Sequence, residues 1–253
     1  MLTVHGSTHT GLVRKINQDT FFFDVAMGLV IVADGMGGHN AGEVASHMAA
    51  QTIRDFLDRS RDSEECTWPY GIDPSRPFAV SRLTTAIKLA NRRVFKTGES
   101  RDEYSGMGTT AVVALFEAER MTYAGVGDSR VYTFLDGHLQ QLTQDDSWAA
   151  RTRSLVPDGA EAAGRNPMKH VLTNVIGARE ELTSIEVRER SLQDGELILA
   201  CTDGIHGPVD DATMELILAA HHDLASAVEQ LMQAALQRGG RDNLTVVLAR
   251  YHA

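Results

Sequence analysis

Five aspartates of this 253-residue chain stand in similar places. Asp34 follows the apolar run LVIVA, and Asp203 follows LILACT. Asp128 falls between two β-like stretches in YAGVGDSRVY, while Asp19 and Asp242 precede such stretches in VRKINQDTFFF and GGRDNLTVVLA. Taken singly, each reads as an ordinary turn or cap residue, because Asp favours such positions and Asp-Gly is a common turn. Taken together they allow another reading. If strand ends from distant parts of the chain converge on one sheet edge, their carboxylates repel, and a hard divalent cation relieves the conflict. Oxygen donors with no Cys or His at ligand spacing favour magnesium or manganese over zinc. Two such ions, about 3.5–4 Å apart, can share a bridging carboxylate and activate a water between them, for which in-line attack on phosphorus is the natural reaction.

Asp34 is the hardest of the five to read as a turn residue alone. Gly35, Gly37 and Gly38 crowd behind it and let the backbone turn sharply and come close to another group. The helix that follows already has a capping pattern in Asn40 and Glu43. Arg14, shortly before Asp19, offers a planar fork that suits two phosphate oxygens. It reads equally as a surface residue of the basic pair Arg14-Lys15.

Composition narrows the setting. Hydrophobic residues make up 43% and charged residues 23%, as in a globular protein able to bury a sizeable core. The net charge of −10, from 24 basic and 34 acidic residues, argues against a broad nucleic-acid footprint. Cys66 and Cys201 form no CxxC pattern, so neither a disulfide framework nor a thiolate zinc site is expected. MLTVHGSTHTG lacks the basic and apolar regions of a signal peptide, and no apolar run is long enough to span a membrane. A reducing, cytoplasmic setting and a monomer are expected.

The elements that must position these aspartates can be outlined. Phe21–Val25 and Leu29–Ala33 predict a hairpin. A helix with Val44, Met48, Ile53 and Leu57 on one face follows Asn40, and after a Pro- and Gly-containing loop at Ser60–Pro77 a second helix spans Phe78–Lys96. Strands are expected at Thr110–Phe116, Met121–Val126 and Arg130–Leu135, with an Asp136-Gly137 type I′ turn into His138–Leu142. Thr143–Leu155 reads as a short helix and Val156–Pro167 as a mobile surface segment. Strands at Leu182–Arg190 and Glu196–Cys201, helices at Asp211–Ala220 and Leu224–Arg238, and a strand at Asn243–Arg250 complete the chain. This order lacks regular βαβ alternation. It predicts an α+β fold in which antiparallel sheets pack on each other under outer helices, within one domain over residues 1–253.

Seven blocks, in order along nearly the whole chain, resemble the type 2C family of metal-dependent serine/threonine protein phosphatases in its bacterial form. They are RKINQD (Arg14–Asp19), VADGMGGHNAGEVAS (Val32–Ser46), GMGTTAVVAL (Gly106–Leu115), GVGDSRVY (Gly125–Tyr132), LTQDDS (Leu142–Ser147), CTDG (Cys201–Gly204) and RDNLTVVL (Arg241–Leu248). The resemblance implies two packed β-sheets flanked by antiparallel helix pairs. It implies two core ions, Mn2+ or Mg2+, with Asp34 bridging them and the Gly35 carbonyl on one. Asp203 and Asp242 would complete one shell, Asp19 would serve the other partly through water, and Asp128 would join Asp203 around a weaker third ion. Arg14 would hold the substrate phosphate, so that Arg14, Asp34 and Asp203 carry catalysis. Residues 148–169 correspond to the family's flap, and the GMGTT block is expected to be structural.

Two positions depart from the family pattern. Where some members carry a histidine proposed to protonate the leaving alkoxide, this chain has Met36. A water on the metal then becomes the first proton source and His39 a second. Where many relatives have Asp-His, this chain has Asp145-Asp146, and Asp145 is expected to cap the following helix. The implied activity is hydrolysis of phosphoserine and phosphothreonine by direct water attack, on phosphoproteins made by a serine/threonine kinase. Cys201 is expected in the core rather than as a nucleophile. The alternatives are a catalytically inactive member that binds phosphoproteins as a regulatory module, and a phosphoesterase for small molecules.

Overall fold

The computed structural model describes residues 1–38, 41–61, 66–150 and 171–253. The chain opens with strands β1 (Leu2–His9), β2 (Asp19–Asp24) and β3 (Leu29–Met36), then helices α1 (Ala41–Arg59) and α2 (Phe78–Ser100). Next come β4 (Gly108–Thr109), β5 (Ala111–Glu117), β6 (Arg120–Val126), β7 (Arg130–Leu135) and β8 (His138–Gln141). Strands β9 (Glu186–Ser191) and β10 (Leu197–Cys201) lead to a single helical turn at Asp203–His206. Helices α3 (Asp211–Ala220) and α4 (Leu224–Gln237) and strand β11 (Leu244–Tyr251) follow. One sheet has the order β1-β11-β10-β7-β8 and the other β2-β3-β5-β6-β9, with β4 beside β3.

Side-chain alternation along the central strands builds the layers. Leu29 and Ile31 of β3, with Val113 and Leu115 of β5, face α1 and α2. The intervening Val30, Val32, Val112 and Ala114 face the other way and pack with Ile198, Ala200, Val247 and Ala249 of the second sheet. On that sheet's far side, Leu197, Leu199, Val246 and Leu248 pack under α3 and α4. Period-two alternation therefore divides each strand between two apolar layers, and the runs read as continuously hydrophobic because both faces are covered. The result is helices, sheet, sheet, helices. Each fully buried Leu or Ile in these layers contributes about 1.5–3 kcal/mol of transfer free energy.

The expected hairpin, the four helices α1 to α4 and the Asp136-Gly137 turn form, the last with positive φ at both residues (51° and 82°). Four details differ. Residues Leu2–His9, to which the sequence pattern assigns no element, form an edge strand paired with β11 from Leu2↔Tyr251 to His9↔Leu244. Strand β3 continues through Asp34 to Met36, because Gly35 and Met36 pair with Thr109 and Gly108. Residues 143–146 are not helical: the Thr143 hydroxyl accepts from Val131 N–H, and Asp146 N–H donates to the Gly127 carbonyl. Strand β9 starts at Glu186 rather than Leu182, since Thr183 N–H and the Ser184 carbonyl bond to the Asn174 side chain. Asn40 of the expected capping box lies outside the described residues.

Candidate metal centre

Asp19 and Asp34 are register partners in the β2–β3 ladder. Directly opposed residues of an antiparallel pair point to the same face, so the two carboxylates share one side of this sheet. The second sheet meets them through hydroxyls. Thr202, at the end of β10, and Thr245 of β11 both donate to Asp19 Oδ2, at 3.0 and 2.7 Å. These bonds bring the segments after β10 and before β11 against the first sheet, and those segments carry Asp203 and Asp242. They also press on each other: a Cβ on Gly204 would stand 1.8 Å from the Asn243 carbonyl oxygen. Glycine after Asp203 is thus required by close backbone approach.

Asp34 is held by its backbone. The Thr109 hydroxyl and Thr110 N–H both donate to the Asp34 carbonyl, at 2.8 and 2.9 Å, and Asp34 N–H donates to the Thr110 hydroxyl at 3.0 Å. Thr110 Oγ1 is in turn 2.6 Å from Ser129 Oγ, next to Asp128. The threonines of GMGTT therefore position an acid of the cluster as well as opening a core strand. Gly35 lies where β3 meets α1, and a Cβ there would be 2.0 Å from the Gly42 carbonyl oxygen.

Asp128 occupies the turn between β6 and β7. Its carbonyl accepts from His206 Nε2 at 2.9 Å. Burial, and then the nearby Arg130 cation, push the His206 pKa down to about 4, which leaves the ring neutral with its proton on Nε2. Arg130 makes a two-pronged bond to Asp145, Nε to Oδ1 at 2.9 Å and Nη2 to Oδ2 at 2.8 Å. Asp145 is therefore an ion-pair partner rather than the expected helix cap. Asp146 Oδ2 accepts from Gly127 N–H at 3.2 Å and from Asn174 Nδ2 at 2.9 Å, so the second acid of the pair braces the Asp128 turn.

The electrostatics register the convergence. Burial holds the Asp34 carboxyl well above the usual carboxylate range, and Asp19, Asp203, Asp242 and Asp128 each raise it further. Asp19 is pushed up to about 7 by burial, with Asp203 and Asp242 adding to it against the two opposing threonine bonds. Asp128 reaches about 7 through burial, then Asp203 and Asp145. Arg14 Nη2 donates to Asp242 Oδ2 at 2.8 Å, and that bond, reinforced by the charges of Asp242, Asp34 and Asp203, raises the guanidinium pKa. All five aspartates and Arg14 thus belong to one electrostatic neighbourhood. Met36 lies at its edge, 45% exposed. His39 and residues 151–169 of the expected flap lie outside the described residues.

The donor set fits a hard cation. Every contributing group is oxygen, and Asp19 Oδ1 is buried with no hydrogen-bond partner while its Oδ2 holds two. Among the described residues, no three His, Cys, Asp or Glu side chains close on one point as a ready-made cage. Cys201 is fully buried, and burial pushes its thiol up to about 12, so it supplies no thiolate nucleophile.

The sequence pattern assigns no role to Thr202, Thr245, His206 or Asn243, although Thr202, Asn243 and Thr245 fall inside the CTDG and RDNLTVVL blocks. What could have found them is proximity, since each lies within three positions of Asp203 or Asp242.

Comparison with known proteins gives the family. The sequence model described as protein phosphatase 2C matches residues 8–249. Serine/threonine protein phosphatase PstP of Mycobacterium tuberculosis is 32% identical over 242 residues, covering 94% of this chain and 43% of PstP. The chain therefore spans less than half the length of that relative. Serine/threonine phosphatase stp of Listeria monocytogenes is 32% identical over 248 residues, covering 95% of this chain and 92% of stp. The crystal structure of the M. tuberculosis phosphatase PstP/Ppp superposes with a TM-score of 0.85 at 29% identity, covering 100% of this chain and 99% of that one. A PstP catalytic domain in complex with two manganese ions gives a TM-score of 0.82 at 30% identity, covering 100% and 99% of the two chains. With the family match spanning all five aspartates of the cluster, this chain belongs to the protein phosphatase 2C family.

Proposed function

We propose that the chain is a metal-dependent protein serine/threonine phosphatase that hydrolyses phosphoserine and phosphothreonine in proteins phosphorylated by a serine/threonine kinase. The observation that carries this reading is the gathering of Asp19, Asp34, Asp128, Asp203 and Asp242 beside Arg14, where repelling carboxylates adjoin a guanidinium. The PstP structure with two manganese ions supports a pair of Mn2+ or Mg2+ ions here. Asp34 would bridge them, with the Gly35 carbonyl, Asp203 and Asp242 on one, Asp19 on the other, and Asp128 with Asp203 at a weaker third site. When bound, the ions neutralise the phosphoryl oxygens and lower the pKa of water for in-line attack at phosphorus.

The chain's own groups do the rest. Arg14 presents its fork to the phosphate oxygens and is 53% exposed in its side chain, open to a substrate outside the fold. Thr109 and Thr110 fix the Asp34 backbone, and Thr202 and Thr245 fix the Asp19 carboxylate, so that neither acid reorganises during turnover. Met36 holds no proton for the leaving alkoxide, and His39 is the chain-borne candidate.

The chain is read as one catalytic domain with a flap at residues 148–169, acting as a cytoplasmic monomer. No helix among the described residues is long and apolar enough to cross a membrane. The test of substrate class compares a phosphothreonine peptide, a phosphotyrosine peptide and a nucleoside monophosphate in manganese. The expected result is a kcat/KM for the phosphothreonine peptide at least about tenfold above the other two. Preferred turnover of the nucleotide would support a small-molecule phosphoesterase. Manganese binding without any turnover would support a regulatory module.

A further inference from the structure

Residues 10–18 connect β1 to β2 without regular structure and carry Arg14 near their middle. Burial does little to hold this loop: Leu12 and Val13 are 66% and 65% exposed. Its backbone is instead gathered by one side chain. Asn243 Nδ2 donates to the Thr10 carbonyl and to the Ile16 carbonyl, both at 2.9 Å, and Asn243 Oδ1 accepts from Gln18 N–H at 2.8 Å. Both amide hydrogens and the amide oxygen are thus used, in a side chain that belongs to a residue only 5% exposed. Leu12 N–H adds a bond to the Gly240 carbonyl at 2.7 Å, from the same stretch of chain.

We infer that Asn243 is a positioning residue for substrate binding, which sets the Thr10–Ile16 loop so that the Arg14 fork stands over the carboxylate cluster. The inference rests on the proposed role of Arg14 in holding phosphate. Asparagine suits this position because two donors and one acceptor in one plane match two carbonyls and one N–H, a pattern that neither Asp nor Ala can satisfy. Asn243 also directly follows Asp242, whose carboxylate takes the Arg14 guanidinium at 2.8 Å. The loop is thereby tied to residues 240–243 through Gly240, Asp242 and Asn243, and the phosphate fork and an acid of the metal centre share one anchor. Losing the amide frees the loop ends and lets Arg14 sample positions away from phosphate. The cost then falls on ground-state and transition-state binding of phosphate alike, which is read in KM.

The test is a double-mutant cycle on the full chain. Asn243→Ala, Arg14→Ala and the double variant are assayed with a phosphothreonine peptide, with inorganic phosphate as inhibitor, and for manganese affinity by calorimetry. For Asn243→Ala, KM and the phosphate inhibition constant are expected to rise about tenfold, kcat to change less than about threefold, and the manganese Kd less than about twofold. In the Arg14→Ala background the same substitution should add less than about twofold, because its effect passes through the arginine. An equal effect in both backgrounds, or a manganese Kd that weakens in step with KM, overturns the positioning role. If Arg14→Ala alone leaves KM and phosphate inhibition unchanged, the phosphate-holding reading fails first and the inference falls with it. Asn243→Ser is carried through the same cycle and decides the matter if Asn243→Ala does not fold.

Discussion

Asp19 and Asp34 face each other directly across the β2–β3 ladder, with both carboxyl pKa values raised by burial and by their acidic neighbours. Like charges opposed across neighbouring strands are destabilising, and a sheet serving stability alone would not place them there. The pair makes the cation-free protein sensitive to pH. Asp19 is held near 7 in the fold against an ordinary value of 3.8. Between those values the folded state binds more protons than the unfolded chain. This contribution to stability is therefore complete below the lower value and is lost as pH rises through the upper one. In EDTA, Tm should fall between about pH 4 and about pH 7, and Asp19→Asn should flatten the profile. An equal slope in the variant would contradict the assignment.

Thr245→Val removes the shorter of the two hydroxyl bonds to Asp19 Oδ2. That bond favours the ionised form, so without it the carboxyl holds its proton more tightly and a cation must compete harder. Manganese Kd should rise about tenfold, in the range expected for a lost partner of a metal ligand. Calorimetry at fixed pH checks this, and an unchanged Kd would mean that Thr245 serves packing alone.

Arg14→Lys keeps the charge beside Asp242 but loses the fork. A lysine is a point charge on a flexible stem, so phosphate would be bound by one group where the guanidinium offers two. KM for a phosphothreonine peptide should rise by about three- to tenfold with kcat less affected. Steady-state kinetics decide it; a KM equal to that of the native enzyme would leave Arg14 only its ion pair.

Gly204→Ala should be strongly destabilising although it adds one methyl group. The new Cβ would lie 1.8 Å from the Asn243 carbonyl oxygen, and backbone cannot give way as a flexible side chain does. A large fall in Tm, with loss of manganese binding in any folded fraction, is the expected outcome of thermal melts and calorimetry. A Tm within experimental error of the native value would refute the close approach of these two segments.

The sequence makes some of this legible and hides the rest for physical reasons. The sheets and helices are readable because LVIVA and LILAC are buried on both faces and the amphipathic helices cover them. The aspartates are readable because each abuts such a run. Strand β1 is not, since LTVHGSTH is an edge strand with no continuous apolar face and depends on β11 for its ladder. The start of the expected helix at Thr143–Leu155 is misleading because Asp145 is a good cap in isolation, whereas its carboxylate is taken by Arg130. The hydroxyls of Thr202 and Thr245 and the amide of Asn243 are hidden most deeply. The two threonines stand 183 and 226 positions away from Asp19 in sequence, and only the pairing of β10 with β11 brings them in together.

The most direct measurement is phosphate release from a phosphothreonine peptide by the native chain with manganese, by the same protein with EDTA, and by Asp203→Asn with manganese. Asp203 opens the helical turn after β10 and joins the cluster that raises Asp34. Turnover that requires manganese, and that falls by about a hundredfold or more in a variant that melts like the native protein, is the expected result. Undiminished turnover in EDTA, or in Asp203→Asn, would contradict the assignment of the carboxylate cluster as the catalytic metal centre.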